Sequence, residues 1–113
     1  MLNLVAYRDR VGREPFNDWF ASLDRHAAAK VTTVLARLSA GNLSDLKPVG
    51  SGVLERRINW GPGYRVYFGR DTGNLVILLA GGTKGRQQRD IAVAQARWAD
   101  YRRRNQFDRE GGS

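Results

Sequence analysis

The sequence contains no cysteine and only one histidine among its 113 residues. Without thiols the chain can form neither a disulfide nor a thiolate metal site, and a single imidazole is too few for a typical zinc centre. The classes of protein that depend on such centres are therefore excluded by composition. We expect the chain to work with no metal and no cofactor.

Long apolar runs are also missing. The longest, Leu75–Ala80, falls far short of the roughly 20 residues that a membrane-spanning helix needs. The first ten residues show neither a basic leader with a long apolar stretch nor a small-residue cleavage site, which argues against a secretory signal. We predict a cytoplasmic protein with no membrane partner, formed by one domain over residues 1–108 and a flexible tail over 109–113.

Positive charge is what the sequence has in excess. Nineteen Lys and Arg residues face eleven Asp and Glu residues, which gives a net charge of +8 and a pI near 10.8. Residues 1–50 carry a net +2, whereas 53–70 carry +3 and 84–104 carry +5. This distribution favours a polyanionic partner such as RNA, DNA or an acidic protein. A basic surface that merely keeps the protein soluble is the alternative.

The N-terminal part predicts one strand and two helices. Residues 2–8 form a short apolar segment, and the polar residues 9–13 predict a turn. Pro15 suits a first helical turn and Asp24 can cap a second helix, which Gly41 ends. We expect the two helices to form a hairpin. The helical spacing gives the first helix an apolar stripe of Phe16, Trp19, Phe20 and Leu23.

The rest of the chain predicts a sheet and a last helix. Residues 43–52 are rich in turn formers and predict a loop. Three β-rich segments, Val53–Ile58, Tyr64–Gly69 and Leu75–Ala80, predict an antiparallel meander, and the helical pattern returns from Arg86 to Arg104. We therefore predict an α+β fold in the order β-α-α-β-β-β-α, with the helical hairpin packed on an antiparallel sheet.

A candidate basic pocket follows from the alternation of side chains along these strands. Arg57, Arg65 and Tyr67 fall on one face if the meander pairs in register, and Lys84 arrives from the end of the next strand. Trp60, in the turn, is placed to stack on a base at the rim.

Cations gathered in this way suit a phosphodiester. Guanidinium groups hold phosphate oxygens and stabilise the added charge of the transition state. In RNA the 2′-OH can attack the adjacent phosphate without a metal, if the protein positions it and manages the protons. Candidates for the proton transfer are Lys84, Tyr67 and Asp90, and His26 has no suitable partner.

A less specific interpretation stays open for the same residues. Arg57 and Arg65 also fit ordinary strand charges that pair with Glu55 and Asp90. The segment that begins at Gly81 lacks the spacing of a phosphate-binding P-loop.

Several segments resemble the addiction-module killer proteins, the HigB-like group of the RelE/ParE toxin superfamily. The likeness runs from about Tyr7 to Tyr101, and the string Gly61-Pro-Gly-Tyr-Arg-Val-Tyr67 is its most specific part. The matching segments are Asp45–Gly50, Val53–Ile58, Gly61–Phe68 and Gly81–Lys84, together with Gln87, Asp90 and Ile91.

This resemblance implies a microbial RNase-type fold and a toxin that is paired with an antitoxin, often of the helix-turn-helix type. It also implies that the toxin contacts operator DNA only through that antitoxin. For the RelE and HigB branches it implies cleavage of mRNA on the ribosome, which stops translation. Arg65 matches a family catalytic arginine, while Arg57 and Lys84 match basic positions. We accordingly assign catalysis to Arg65, Arg57, Lys84 and Tyr67, and RNA binding to Trp60, Tyr64, Arg56, Arg86 and Gln87.

Two alternatives to a ribonuclease stay open. Some HigB relatives use histidines that this chain lacks, and no aromatic residue near Ile91 matches the one that stacks on the codon in RelE. The ParE branch keeps the fold, lacks the ribonuclease site and inhibits DNA gyrase. A non-toxic module that only binds nucleic acid or an antitoxin is the third hypothesis, because fold membership does not determine activity.

Overall fold

A computed structural model describes the backbone of residues 1–111 and the side chains of residues 1–105. The predicted α+β class is confirmed. A short 3-10 turn, Lys84–Arg86, precedes the last helix. The strands and helices in chain order are β1 Asn3–Ala6, α1 Pro15–Ala21, α2 Arg25–Ser39, β2 Leu46–Pro48, β3 Val53–Ile58, β4 Tyr64–Arg70, β5 Leu75–Thr83 and α3 Gln87–Gly111.

The five strands form one sheet in the order β1-β5-β4-β3-β2. The pairs β2/β3, β3/β4 and β4/β5 are all antiparallel, which confirms the meander. Strand β1 pairs parallel with β5, so the sheet is mixed and the prediction of a purely antiparallel sheet was wrong. The alternation of side chains within a strand carries no information about the direction of a partner that lies some 70 residues away in the chain.

The additional strand β2 lies within residues 43–52, which the turn-forming composition predicted as a loop. It is a three-residue edge strand, and its Pro48 is compatible with an edge because only one side of the strand needs ladder hydrogen bonds. The predicted element order is corrected to β-α-α-β-β-β-β-α, with the extra strand at the sheet edge.

The two N-terminal helices form where predicted, but the described residues do not show the predicted hairpin. Asp24 caps α2, since its Oδ1 accepts a hydrogen bond of 2.8 Å from the Ala27 amide. Helix α1 has only seven residues and packs mainly on β5, whereas α2 packs on β3. The aromatic stripe of α1 packs on the sheet and not on α2. Its Trp19 ring lies so close to Gly81 of β5 that a β-carbon there would collide with it.

The helices cover the two faces of the sheet and produce two buried clusters. On the first face, Phe16 and Val31 pack against Val66 and Phe68. On the second face, α3 contributes Trp98, which lies against Gly69. Residues 76–80 of β5 are buried, as predicted for a central strand covered on both sides.

Helix α3 extends beyond the predicted end at Arg104. It continues to Gly111, three residues into the segment predicted as a tail, while the last two residues of that tail, 112–113, lie outside the described residues. None of the helices in the described part of the chain is both long and apolar enough to cross a membrane.

Candidate nucleic-acid interface

The pairing of β3 with β4 brings the predicted site residues together. Arg57 lies opposite Arg65, and Glu55 lies opposite Tyr67. This register confirms that Arg57, Arg65 and Tyr67 share a face of the sheet, which is the face that carries α3.

Lys84 reaches the same end of the sheet from β5. Its backbone amide donates a hydrogen bond of 3.1 Å to the carbonyl of Gly63, in the turn between β3 and β4. A depression of about 120 Å³ opens at this point. It is lined by Arg57, Ile58, Asn59, Gly63, Tyr64, Arg65 and Lys84. Three of the four predicted catalytic residues therefore meet at one surface feature.

The three cations differ in exposure. Lys84 is exposed, and 45% of the Arg57 side chain is accessible, so both can meet a ligand from solvent. Only 8% of the Arg65 side chain is accessible, and its Nε and Nη1 atoms are buried without a hydrogen-bond partner. Arg65 thus forms the floor of the depression, and Arg57 and Lys84 form its walls.

A buried carboxylate organises this floor. Glu55 has no accessible surface, and its Oε1 accepts a hydrogen bond of 3.0 Å from Arg57 Nε. Its Oε2 accepts one of 3.0 Å from Gln87 Nε2 and lies 3.7 Å from Arg65 Nε. Arg57 and Arg65 therefore share Glu55 as their counter-ion. This is the ion pairing with Glu55 that the sequence analysis gave as the alternative to a phosphate site.

The charge state of Glu55 follows from two opposing effects. Burial raises the pKa of a carboxyl group, but the hydrogen bonds from Arg57 and Gln87 and the nearby Arg65 charge outweigh it and hold the pKa of Glu55 below its usual value. Glu55 is therefore ionised at neutral pH, and it cancels part of the positive charge beneath the depression.

Tyr67 does not take the role that the sequence predicted. Its side chain is completely buried beneath α3, so it cannot contact a substrate. Burial raises the pKa of the phenol, and the interaction of its hydroxyl with the neighbouring Glu55 carboxylate raises it further. The strand pattern placed Tyr67 on the correct face but could not show that a helix covers that face.

Asp90, a candidate for proton transfer, lies just inside α3. Its Oδ2 is buried without a hydrogen-bond partner and lies against the backbone of Gly82, where a β-carbon would collide with it. Burial raises the pKa of Asp90, and Arg86, Arg89 and Arg97 oppose the shift. No group of three or more acidic or histidine side chains suited to a metal ion occurs among the described residues.

Of the predicted RNA-binding aromatics, Trp60 and Tyr64 stack on each other, with ring centroids 6.2 Å apart and planes inclined by 22°. Tyr64 is buried, so little of its ring is available to a base, whereas Trp60 is half-buried. Lys30 of α2 lies with its Nζ 5.9 Å from the Trp60 ring, a contact that the sequence analysis did not anticipate.

The remaining predicted contacts divide between the two faces of the sheet. Arg56 alternates with Arg57, so it points to the opposite face, and its Nη1 donates a hydrogen bond of 2.6 Å to the Arg57 carbonyl. Arg86 is exposed on the 3-10 turn beside Lys84. Gln87 is half-buried and commits its amide to Glu55.

Comparison with known proteins gives a clear relative of unassigned function. The chain is 44% identical over 81 residues to an uncharacterized protein of Haemophilus influenzae, and the match covers 71% of this chain and 82% of that protein. No protein-family profile matches the sequence. The extent and identity of the match show that this chain belongs to the same protein family as the uncharacterized Haemophilus influenzae protein.

Proposed function

We propose that the chain is the toxin of a type II toxin–antitoxin pair, with a RelE-like fold, and that it cleaves mRNA on the ribosome without a metal. The observation that carries the proposal is the meeting of Arg57, Arg65 and Lys84 around one depression. The sequence resemblance to addiction-module killer proteins and the net charge of +8 support it.

The proposed chemistry uses the two accessible cations first. Arg57 and Lys84 bind the phosphate that is to be cleaved, and Arg65 stabilises charge from the floor. The 2′-OH of the RNA attacks the bound phosphorus and loses its proton, while the bond to the 5′-oxygen of the next nucleotide breaks. The products are a 2′,3′-cyclic phosphate and a 5′-hydroxyl, whose oxygen takes up a proton. Lys84 lines the depression and is exposed, so it can assist proton transfer, whereas Tyr67 is buried.

Glu55 acts through the arginines in this scheme. Its hydrogen bond to Arg57 Nε leaves the terminal nitrogens of that guanidinium for the ligand. It is a positioning residue that fixes the direction of Arg57.

The partners follow from the same resemblance. We propose a helix-turn-helix antitoxin that masks the basic surface, with operator DNA bound only through that antitoxin. The toxin then acts in the cytoplasm, where ribosomes and mRNA are its targets.

A second candidate, a ParE-like inhibitor of DNA gyrase, is favoured by one specific observation. Glu55 neutralises part of the charge of both strand arginines, and Tyr67 is withdrawn into the core. A surface of this kind binds a partner without needing a group that transfers protons. A non-toxic binding module fits the same observation.

The test is inducible expression without the antitoxin, with growth, translation, replication and mRNA integrity followed over the first minutes. We expect rapid mRNA cleavage with the unaltered chain. Arg57→Ala and Lys84→Ala should abolish growth arrest, since each removes an accessible phosphate ligand. Lys47→Ala, an exposed substitution on β2 outside the depression, should remain toxic.

The outcomes separate the hypotheses. If Arg65→Ala folds normally and stays fully toxic, the assignment of Arg65 is wrong. Growth arrest with DNA damage signalling and intact mRNA supports gyrase inhibition, and absence of any arrest supports the binding module. Circular dichroism of each purified variant shows whether lost toxicity reflects lost folding.

A further inference from the structure

A second concave surface lies at the opposite edge of the sheet. Helix α3 packs over β5, β4 and β3, and it leaves the edge strand β1 largely uncovered on this face. The result is a cavity of about 520 Å³ between β1 and residues 101–105 of α3. Its volume lies within the roughly 300–1,000 Å³ typical of small-molecule sites. None of the described residues that line it also lines the depression at Lys84.

The floor of this cavity is apolar and aromatic. Val5 and Ile77 come from the paired strands β1 and β5, and the rings of Tyr7 and Tyr101 complete the wall. Val5 is 43% exposed, which leaves apolar surface open to solvent at this point. Such a lining suits a flat ring better than a fully hydrated ion.

The rim is strongly basic. Four arginines, Arg8, Arg10, Arg103 and Arg104, line the cavity, and no carboxylate does among the residues whose side chains the structure describes, 1–105.

In this described part of the chain, two carboxylates lie beside these four arginines: Glu14 pairs with Arg8 at 3.5 Å, and Asp100 serves the other three. Its oxygens lie 3.8 Å from Arg10, 3.5 Å from Arg103 and 2.8 Å from Arg104. Each guanidinium has five N–H donors, so one carboxylate cannot saturate three of them. The Arg104 Nε is in addition buried without a hydrogen-bond partner. The cluster therefore retains both positive charge and unused donors for an anion.

The hydrogen bonds of β1 show whether an acidic peptide could bind here as an added strand. The amides of Asn3 and Tyr7 donate toward β5, at 2.7 and 2.9 Å, so the alternate residues turn their backbone groups outward. At one outward position Leu2 is bonded to Ser39, and at another the Arg8 carbonyl accepts from Arg104. Only two residues between these positions, Leu4 and Ala6, have outward backbone groups left for pairing. That is too few for an added peptide strand.

We propose that this cavity binds a nucleoside phosphate, with the ring against the apolar floor and the phosphate between the arginines of the rim. Paired guanidinium groups match the geometry of phosphate oxygens. The ligand is either a free nucleotide or the phosphorylated end of an RNA chain, since the two present the same chemistry. The proposal is independent of the ribonuclease proposed above.

Calorimetric titration of the full chain tests the proposal with AMP, adenosine, inorganic phosphate, and an RNA trinucleotide with and without a 5′-phosphate. We expect AMP to bind with 1:1 stoichiometry, and adenosine and inorganic phosphate each to bind at least about tenfold more weakly, because each keeps only half of the contacts.

Two variants locate the site. Arg103→Ala should weaken AMP binding by about tenfold, whereas Arg102→Ala, an exposed neighbour that does not line the cavity, should leave it unchanged. Val5→Glu places a carboxylate on the floor and should abolish binding. Val5 is exposed enough for the fold to be retained, which thermal unfolding checks.

Several outcomes would overturn the proposal. They are no AMP binding at millimolar concentration, equal affinity for AMP and inorganic phosphate, or an equal loss in Arg102→Ala and Arg103→Ala. The affinities of the two trinucleotides, compared with that of AMP, show the source of the ligand. A preference for the 5′-phosphorylated form over AMP identifies an RNA end, and equal affinity identifies a free nucleotide.

Discussion

Two carboxylates in this molecule each gather arginines, and they differ in their surroundings. Glu55 lies inside the sheet with no accessible surface and holds Arg57 and Arg65. Asp100 lies on α3, where 14% of its side chain is accessible, and it is surrounded by three arginines with exposed or partly exposed side chains. We therefore expect the loss of the buried carboxylate to lower the free energy of unfolding more than the loss of the partly exposed one.

The two pKa values are lowered for different reasons. For Asp100 the largest effect is the hydrogen bond of 2.6 Å from the Tyr7 hydroxyl, which lowers the pKa, and burial opposes it only in part. For Glu55 burial is the largest effect and raises the pKa, so several donors must act together to reverse it. Glu55 thus depends on its partners far more than Asp100 does.

The largest expected effect comes from removing Glu55. Glu55→Ala leaves Arg65 buried without its counter-ion, and we expect the free energy of unfolding to fall by about 3–5 kcal/mol. Urea denaturation measures it. Glu55→Gln, which keeps the shape and accepts hydrogen bonds without the charge, is the matched comparison and should lose less. A loss below about 1 kcal/mol in Glu55→Ala would contradict the importance given to this ion pair.

A smaller effect of opposite sign is expected at Asp90, beside the same cluster. Because its pKa is raised in the folded protein, folding favours the protonated form, and stability is lost as the pH rises from the unfolded pKa through the folded one. Asp90→Asn should therefore stabilise the protein at pH 7 by about 1 kcal/mol, with no gain below pH 3.8. Thermal unfolding at several pH values checks this, and a destabilised variant at pH 7 would refute it.

The smallest effect is expected at Asp100. Asp100→Asn should lower the free energy of unfolding by no more than about 1 kcal/mol, because its arginine partners are partly or largely exposed to water. Its pKa is depressed, so the contribution is present above the unfolded pKa of 3.8 and is lost as the pH falls through the folded value. Acid titration of stability for both proteins shows the difference. A loss as large as that of Glu55→Ala would remove the contrast between the two carboxylates.

Local patterns in the sequence were sufficient for most of the fold. The helical stripe beginning at Phe16, the Asp24 cap and the alternation in β3 and β4 each depend on neighbouring residues, and each is found in the structure. The parallel pairing of β1 depends on a contact with a distant segment, which no periodicity encodes. Strand β2 pairs locally with β3, but its three residues, one of them Pro48, are too few to show a period of two among turn formers. The hairpin was wrong because the sheet competes for the same apolar faces.

The candidate site divides in the same way. The shared face of Arg57 and Arg65 follows from a period of two, so the sequence predicts it. The burial of Tyr67 depends on where α3 crosses the sheet. The role of Glu55 as counter-ion to both arginines depends on its complete burial, which the alternation along β3 does not reveal. The cavity beside β1 was not predicted, since its walls come from both ends of the chain.

Gly81 and Gly82 are adjacent in β5, and they receive Trp19 from one helix layer and Asp90 from the other. Consecutive strand residues face opposite sides, so a side chain from each helix layer lies against the backbone of this dipeptide. A methyl group added at Gly81 would overlap the Trp19 ring, so the ring would have to shift, whereas one added at Gly82 would overlap only the carboxylate of Asp90, which could turn aside. The close seating of the Trp19 ring on the sheet at this end therefore depends on the missing side chain of Gly81.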